Sequence, residues 1–271
     1  MKVALVDNGS LAAAAHEGLR SAARAIAGAA GVAVDAVSWK HSDRVDPGAI
    51  GGRPAWTIAT WIRAQAAAGE REFAFIPFFI SPQGAIGSLL RSDLDAAKEA
   101  AGGFEYSFTE GLADGPVLAR IVADRVRSAS AGLRRPAVVV VDHGGPSPAS
   151  AALRDRVAAE VRGILGGDVG PVAAASMESP DGAAFAFNQP LLADALAAPG
   201  FSGGDVVVAP LFLSPGRHAG PDGDLARIAR EAKERSPRLR CHFAGLVGDH
   251  PAAAEFLAGA LANALHAEAL R

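Results

Sequence analysis

The chain repeats itself, and that constrains its fold more than any other feature. Val3-Ala4-Leu5-Val6-Asp7-Asn8-Gly9-Ser10 returns as Val138-Val139-Val140-Val141-Asp142-His143-Gly144-Gly145. Asp7 and Asp142 are 135 residues apart. Ile76-Pro77-Phe78-Phe79-Ile80-Ser81-Pro82 returns as Ala209-Pro210-Leu211-Phe212-Leu213-Ser214-Pro215, with Pro77 and Pro210 133 residues apart. Asp114-Gly115-Pro116 returns as Asp249-His250-Pro251, again at 135. Three matches in order at nearly one spacing mark a duplicated unit. The small-residue stretch Ser128-Ala129-Ser130-Ala131-Gly132 sets the expected boundary, giving an N-terminal lobe over 1–132 and a C-terminal lobe over 133–271.

Each half alternates apolar runs with Ala/Arg-rich amphipathic stretches. In the second half the runs fall at 137–142, 171–177, 204–210 and 239–245, and helix-like stretches at 148–165, 188–198, 222–235 and 252–269. Continuous Val-rich runs suit parallel strands buried on both faces, and strand–helix alternation implies right-handed βαβ units. The expected fold class is therefore α/β, with two tandem lobes, each a four-stranded parallel sheet flanked by helices. Ligands of such sheets bind beyond the carboxyl ends of the strands. That rule selects the loops Asp142-His143-Gly144-Gly145, Met177-Glu178-Ser179 and Ser214-Pro215-Gly216-Arg217-His218.

His143 and His218 are 75 residues apart, yet both follow a strand at one sheet edge. Two convergent neutral imidazoles suit a divalent transition metal. The repeat supplies a control. Asn8 stands in the place of His143, and ungapped counting from the Ser-Pro pair sets Ala85 against His218. Both imidazoles are thus missing from a first half that keeps the surrounding scaffold, which argues for a site role. Glu178, matched by Lys40 across a gap, is a candidate third ligand or proton acceptor. Arg217 could pair with a substrate carboxylate. Gly144 and Gly145 allow close ligand approach before a helix N-terminus, and Phe187 is a candidate pocket wall. Asp142, matched by Asp7, reads as structural.

Composition removes other classes. Lys+Arg is 26 against Asp+Glu 29, for a net charge of −3, so no basic excess exists to meet phosphates and no nucleic-acid or membrane-surface partner is expected. One cysteine, Cys241, excludes an internal disulfide framework and a Cys-rich zinc site. The N-terminus carries no signal-like apolar region, and no apolar run is long enough to span a bilayer. A cytoplasmic location is expected, and the internal repeat leads us to expect a monomer.

Asp-His-Gly-Gly after a Val run, Ser-Met-Glu, Phe-Asn-Gln-Pro-Leu-Leu, and Pro-Leu-Phe-Leu-Ser-Pro-Gly-Arg-His-Ala-Gly-Pro-Asp together resemble the class II chelatases. These are sirohydrochlorin cobaltochelatases and ferrochelatases of the CbiX/SirB type. The resemblance spans both halves, with its specific motifs in the second. It implies two lobes facing each other across a cleft and ATP-independent insertion of Co2+ or Fe2+, with Ni2+ also conceivable, into a sirohydrochlorin-type tetrapyrrole. No organic cofactor is implied. The family's metal-site histidines carry over onto His143 and His218, and its acidic helper onto Glu178. The alternative is a non-catalytic divalent-metal-binding protein or metallochaperone using the same histidines.

Overall fold

A computed structural model describes residues 1–80, 85–220 and 222–269, leaving out the side chains of 85–88 and 268–269. The Ser81-Pro82 turn lies outside the described residues, as does the side chain of Ala85. In chain order the strands and helices are β1 (Lys2–Asp7), α1 (Ala13–Ala30), β2 (Asp35–Ser38), β3 (Trp56–Thr57), α2 (Ile58–Ala67), β4 (Glu72–Pro77), α3 (Ala85–Ala100), β5 (Glu105–Phe108) and α4 (Val117–Ala129). They continue with β6 (Ala137–Asp142), α5 (Pro148–Leu165), β7 (Val172–Ser176), α6 (Leu192–Ala197), β8 (Asp205–Pro210), α7 (Asp224–Arg235), β9 (Arg240–Phe243) and α8 (Pro251–Ala269). No described helix is long and apolar enough to cross a membrane.

The strands form two parallel sheets flanked by helices, in the orders β3-β2-β1-β4-β5 and β7-β6-β8-β9. The first sheet has five strands where four were expected. The extra member, β3, is only two residues long and pairs Val37 with Trp56 and Ser38 with Thr57. In the second sheet the same pairing shrinks to the single bridge Ser176–Leu191. The two sheets therefore share one topology and differ by one residue pair at an edge.

The cores differ in chemistry. Trp61, Phe73, Phe75 and Phe104 fill the first, with Phe73 and Phe104 edge to face at 5.0 Å between ring centroids. The second is mainly aliphatic, built on Val139, Val141, Val206, Val208 and Leu239, with Phe201 at its edge. In both cases the central strand is buried along nearly its whole length, as parallel strands covered on both faces must be.

The compact units do not coincide with the sequence halves at 132. One unit comprises Met1–Gly115 with Pro251–Arg271, the other Pro116–His250. Helix α4 belongs to the second unit, where it packs on α5 and β8. Helix α8, the last of the chain, belongs to the first and packs on α1. Each repeat thus gives its final helix to the other unit. Both helices bury an apolar stripe, and such a stripe does not encode which sheet it will cover.

Candidate metal centre

In the second sheet β6 lies between β7 and β8, with Asp142 beside Ser176 and Val141 beside Pro210. The chain leaves β6 for α5 on one side and reaches β8 on the other, so the loops after β6 and β8 flank the point where strand order reverses. Glu178, His143 and His218 follow three neighbouring strands, in that spatial order. All three sit in the unit Pro116–His250.

The imidazoles of His143 and His218 meet, with Nε2 atoms 3.3 Å apart and rings nearly perpendicular at 82°. Their other nitrogens fix the tautomers. His143 Nδ1 lies 2.9 Å from the Gly144 carbonyl oxygen, which can only accept, so Nδ1 carries the hydrogen. His218 Nδ1 lies 2.8 Å from Asp224 Oδ2 and donates to that carboxylate. In neutral rings both Nε2 atoms then present lone pairs to each other, an arrangement that calls for a proton or a metal cation between them. Two nitrogens each about 2.0–2.1 Å from one ion at a near-tetrahedral angle would have this separation. Asp224 is held ionised by the hydrogen bond from His218, aided by Arg227, and its carboxyl lies below the usual carboxylate range. A carboxylate behind a ligating imidazole is the usual support of such a ligand.

Glu178 Oε1 is 3.6 Å from His143 Nε2, and its side chain is 60% exposed. Among the described residues no group of three or more His, Cys, Asp or Glu converges as a ready metal cage. Arg217 is 85% exposed, with Nε 3.8 Å from Asp224 Oδ2, so it stands at the rim beside the histidine pair. Phe187 is half-buried and stacks edge to face with Phe185 at 6.1 Å.

The glycines work differently from the sequence expectation. Gly144 has φ +82°, and a Cβ there would fall 1.8 Å from the Glu178 carbonyl oxygen. It is glycine because the loops after β6 and β7 pass this closely, with Glu178 N donating to His143 O at 3.1 Å. The Gly144 amide already serves Asp142. Gly145 exchanges two hydrogen bonds with the Asn188 side chain, N to Oδ1 at 3.3 Å and O from Nδ2 at 2.9 Å. Neither amide is left over for an anion.

Sequence reasoning also missed support beneath the site. Arg154 on α5 is only 1% exposed. It donates to Ser176 Oγ, to Phe187 O at 3.0 Å and to Asp155 Oδ1, and lies 3.8 Å from Asp142 Oδ1. Ser176 Oγ in turn donates to Asp142 at 2.6 Å. Burial raises the Asp142 carboxyl above its ordinary value, against the pull of Ser176 and Arg154. Aligning α5 with α1 would have exposed this residue, since Leu19 stands where Arg154 does.

The fold is α/β, and the histidine pair stands beyond the carboxyl ends of the second sheet's strands. Residues 137–264 match the CbiX family model, so the second repeat is a CbiX-family domain. A search of curated protein sequences returns no match. Solved structures do match over nearly the full chain. One is SirB from Bacillus subtilis with Fe3+, at a TM-score of 0.69 and 14% identity, covering 96% of this chain and 94% of that one. A second is the sirohydrochlorin chelatase SirB from Bacillus subtilis subspecies spizizenii in complex with cobalt, at 0.65 and 16%, covering 96% and 94%. A third is CbiX, described as the terminal enzyme of siroheme biosynthesis in denitrifying bacteria, at 0.64 and 17%, covering 97% and 99%. At these identities the likeness establishes the fold.

Proposed function

We propose that this chain is a sirohydrochlorin chelatase that inserts Co2+ or Fe2+ into the tetrapyrrole without ATP. The observation that carries this reading is the pair of facing Nε2 atoms, each with its Nδ1 already engaged. Such a pair binds a divalent ion while leaving coordination positions open, which a metal that must be handed on requires. The CbiX-family match and the metal complexes of similarly folded SirB support the same reading.

His143 and His218 hold the incoming metal. As it enters the ring, two inner N–H protons leave, and Glu178, open to solvent, accepts one and releases it to water before taking the second. Its exposure, and the absence of a three-donor cluster among the described residues, favour proton acceptor over third ligand. Arg217, exposed at the rim, meets a peripheral carboxylate of the substrate, and Phe187 offers an apolar wall. The glycines contribute loop shape rather than hydrogen bonds to the substrate. Catalysis on this scheme is chiefly positioning of metal against ring.

Anaerobic incubation with sirohydrochlorin and each metal separately, followed by absorbance, tests the proposal. The spectrum of the metallated ring should appear faster than without protein. Metal binding with no acceleration would instead identify a non-catalytic metal carrier.

A further inference from the structure

Beneath the histidine loop the two repeats are built alike except at one point. In both, the strand-end aspartate pairs with a serine on the neighbouring strand and takes the amide of the following glycine: Asp7 with Ser38 and Gly9, Asp142 with Ser176 and Gly144. In both, an arginine on the first helix ties down backbone carbonyls before the next pairing. Arg20 takes the carbonyls of Ile50, Arg53 and Pro54, and Arg154 those of Phe187 and Asn188. The difference is reach. Arg20 sits one helix position further along, and none of its hydrogen bonds goes to the Asp7–Ser38 corner. Arg154 occupies the inward position held by Leu19 in the first repeat, and joins the carbonyl segment to the Asp142–Ser176 corner.

That corner is the base from which His143 and Glu178 project. His143 follows Asp142 directly, and Glu178 is two residues beyond Ser176. The segment that Arg154 grips also carries Asn188, which clasps both backbone groups of Gly145. One guanidinium therefore links the end of β6, the end of β7 and the clasp on the histidine loop. Among the described residues, this link occurs in the repeat that bears the histidines and not in the other.

We propose that Arg154 is a positioning residue of the metal centre, holding the loops of His143 and Glu178 in register rather than serving only the stability of the fold. The proposal rests on the metal-site reading above. The planar five-donor guanidinium suits it to several partners at once, which a lysine cannot match.

The test is a Co2+ titration of the full chain, followed by visible ligand-field absorbance, for wild type, His143→Ala, Arg154→Lys, Arg154→Met and Ser176→Ala. Wild type should saturate and His143→Ala should not. Arg154→Met and Arg154→Lys should raise the Co2+ Kd about 10–100-fold, the range for residues that orient metal ligands, with lysine the milder. In turnover the KM for metal should rise while kcat at saturating metal is largely kept. A purely structural role would lower Tm and the folded fraction but leave the Kd of folded protein unchanged. If Arg154→Met does not fold, Ser176→Ala decides, because it removes the arginine's hydrogen bond to the corner, leaving only the 3.8 Å approach to Asp142, and spares its carbonyl bonds. An unchanged Kd in the folded Arg154 variants, or in Ser176→Ala, would overturn the proposal alone. Failure of wild type to bind Co2+ in a His143-dependent way would overturn the metal-site reading and the proposal with it.

Discussion

The strand-end corners of the two repeats are the same backbone object carrying different chemistry. At β1 and β2, Gly9 has φ +90° and lies so close to Lys40 that a Cβ would come within 1.8 Å of its carbonyl oxygen. At β6 and β7, Gly144 stands in the same relation to Glu178 at the same distance. Lys40 N donates to Asn8 O as Glu178 N donates to His143 O. Asn8 and Lys40 therefore occupy the places of His143 and Glu178, and the corner closes without either functional group. Lys40 instead pairs with Asp93 at 3.3 Å and covers the Trp39 ring. The lesson is that Asp, Gly and Ser make this corner, while imidazole and carboxylate are added to it.

The comparison breaks most sharply at the histidines. His143→Ala and His218→Ala should each lower metal insertion by more than about 100-fold, beyond the usual loss for a residue that only supports a ligand. Both should keep the wild-type circular dichroism and Tm, since Asn8 stands in the place of His143 in the first unit and His218 lies in an irregular loop outside the sheet. Normal insertion by either folded variant would remove the pair from the mechanism.

A second break concerns which segments form a unit. A fragment of 116–250 contains all of the second compact unit, whereas 133–271 lacks α4 and carries α8 without α1. Helix α4 buries Leu118, Ile121, Val122 and Val126. At about 1.5–3 kcal/mol for each such side chain, their loss rivals the ~5–15 kcal/mol net stability of a whole domain. The 116–250 fragment should melt cooperatively and bind Co2+, and 133–271 should do neither as a monomer. Matching melting curves from the two would show that the exchanged helices are dispensable.

What the sequence disclosed and what it withheld follow from the range of each interaction. The repeat, the strands and the three loops were readable because apolar runs and strand-end turns are local signals. Strand β3 was not, because Trp56 and Thr57 pair over only two residues and no periodicity marks so short a strand. The exchange of α4 and α8 was hidden because an amphipathic helix shows that it has a partner, not which one. Nothing local in the sequence separates Arg154 from Arg156 and Arg162 on the same helix. Counting also misled at Ala85. It begins α3, whereas His218 lies in a longer irregular loop before α7 begins at Asp224, so the two positions differ in structure as well as in residue.

Asp224 tests the site at finer grain. With the carboxylate gone, Asp224→Asn no longer compels His218 to carry its hydrogen on Nδ1, and the Nε2 lone pair is free to be lost to the other tautomer. Co2+ affinity should fall about 10–100-fold with little change in Tm. Unchanged affinity would show that His218 needs no partner to present its nitrogen.

The smallest effect separates the two aspartates themselves. Burial pushes the Asp7 carboxyl up to about 6, against hydrogen bonds from Ser38 and the Gly9 amide, and no cation sits among the causes. Its unfolded value is about 3.9, so between about pH 4 and pH 6 the folded chain binds the extra proton. The stability this group contributes is present below pH 4 and lost as pH rises through 6, leaving a costly buried carboxylate at neutral pH. Asp7→Asn keeps an acceptor for the Gly9 amide and removes that charge. It should stabilise the protein at neutral pH by on the order of 1 kcal/mol, discounted for the partial exposure of the group, and flatten the decline of Tm between pH 4 and pH 6. Asp142→Asn should gain less at neutral pH, because burial raises this carboxyl too but the charge it removes is also the anionic neighbour of the buried Arg154. Thermal melts of both variants across that range check the pair. Destabilisation by Asp7→Asn, or equal gains from the two, would mean that the arginine beneath Asp142 does not distinguish the two corners.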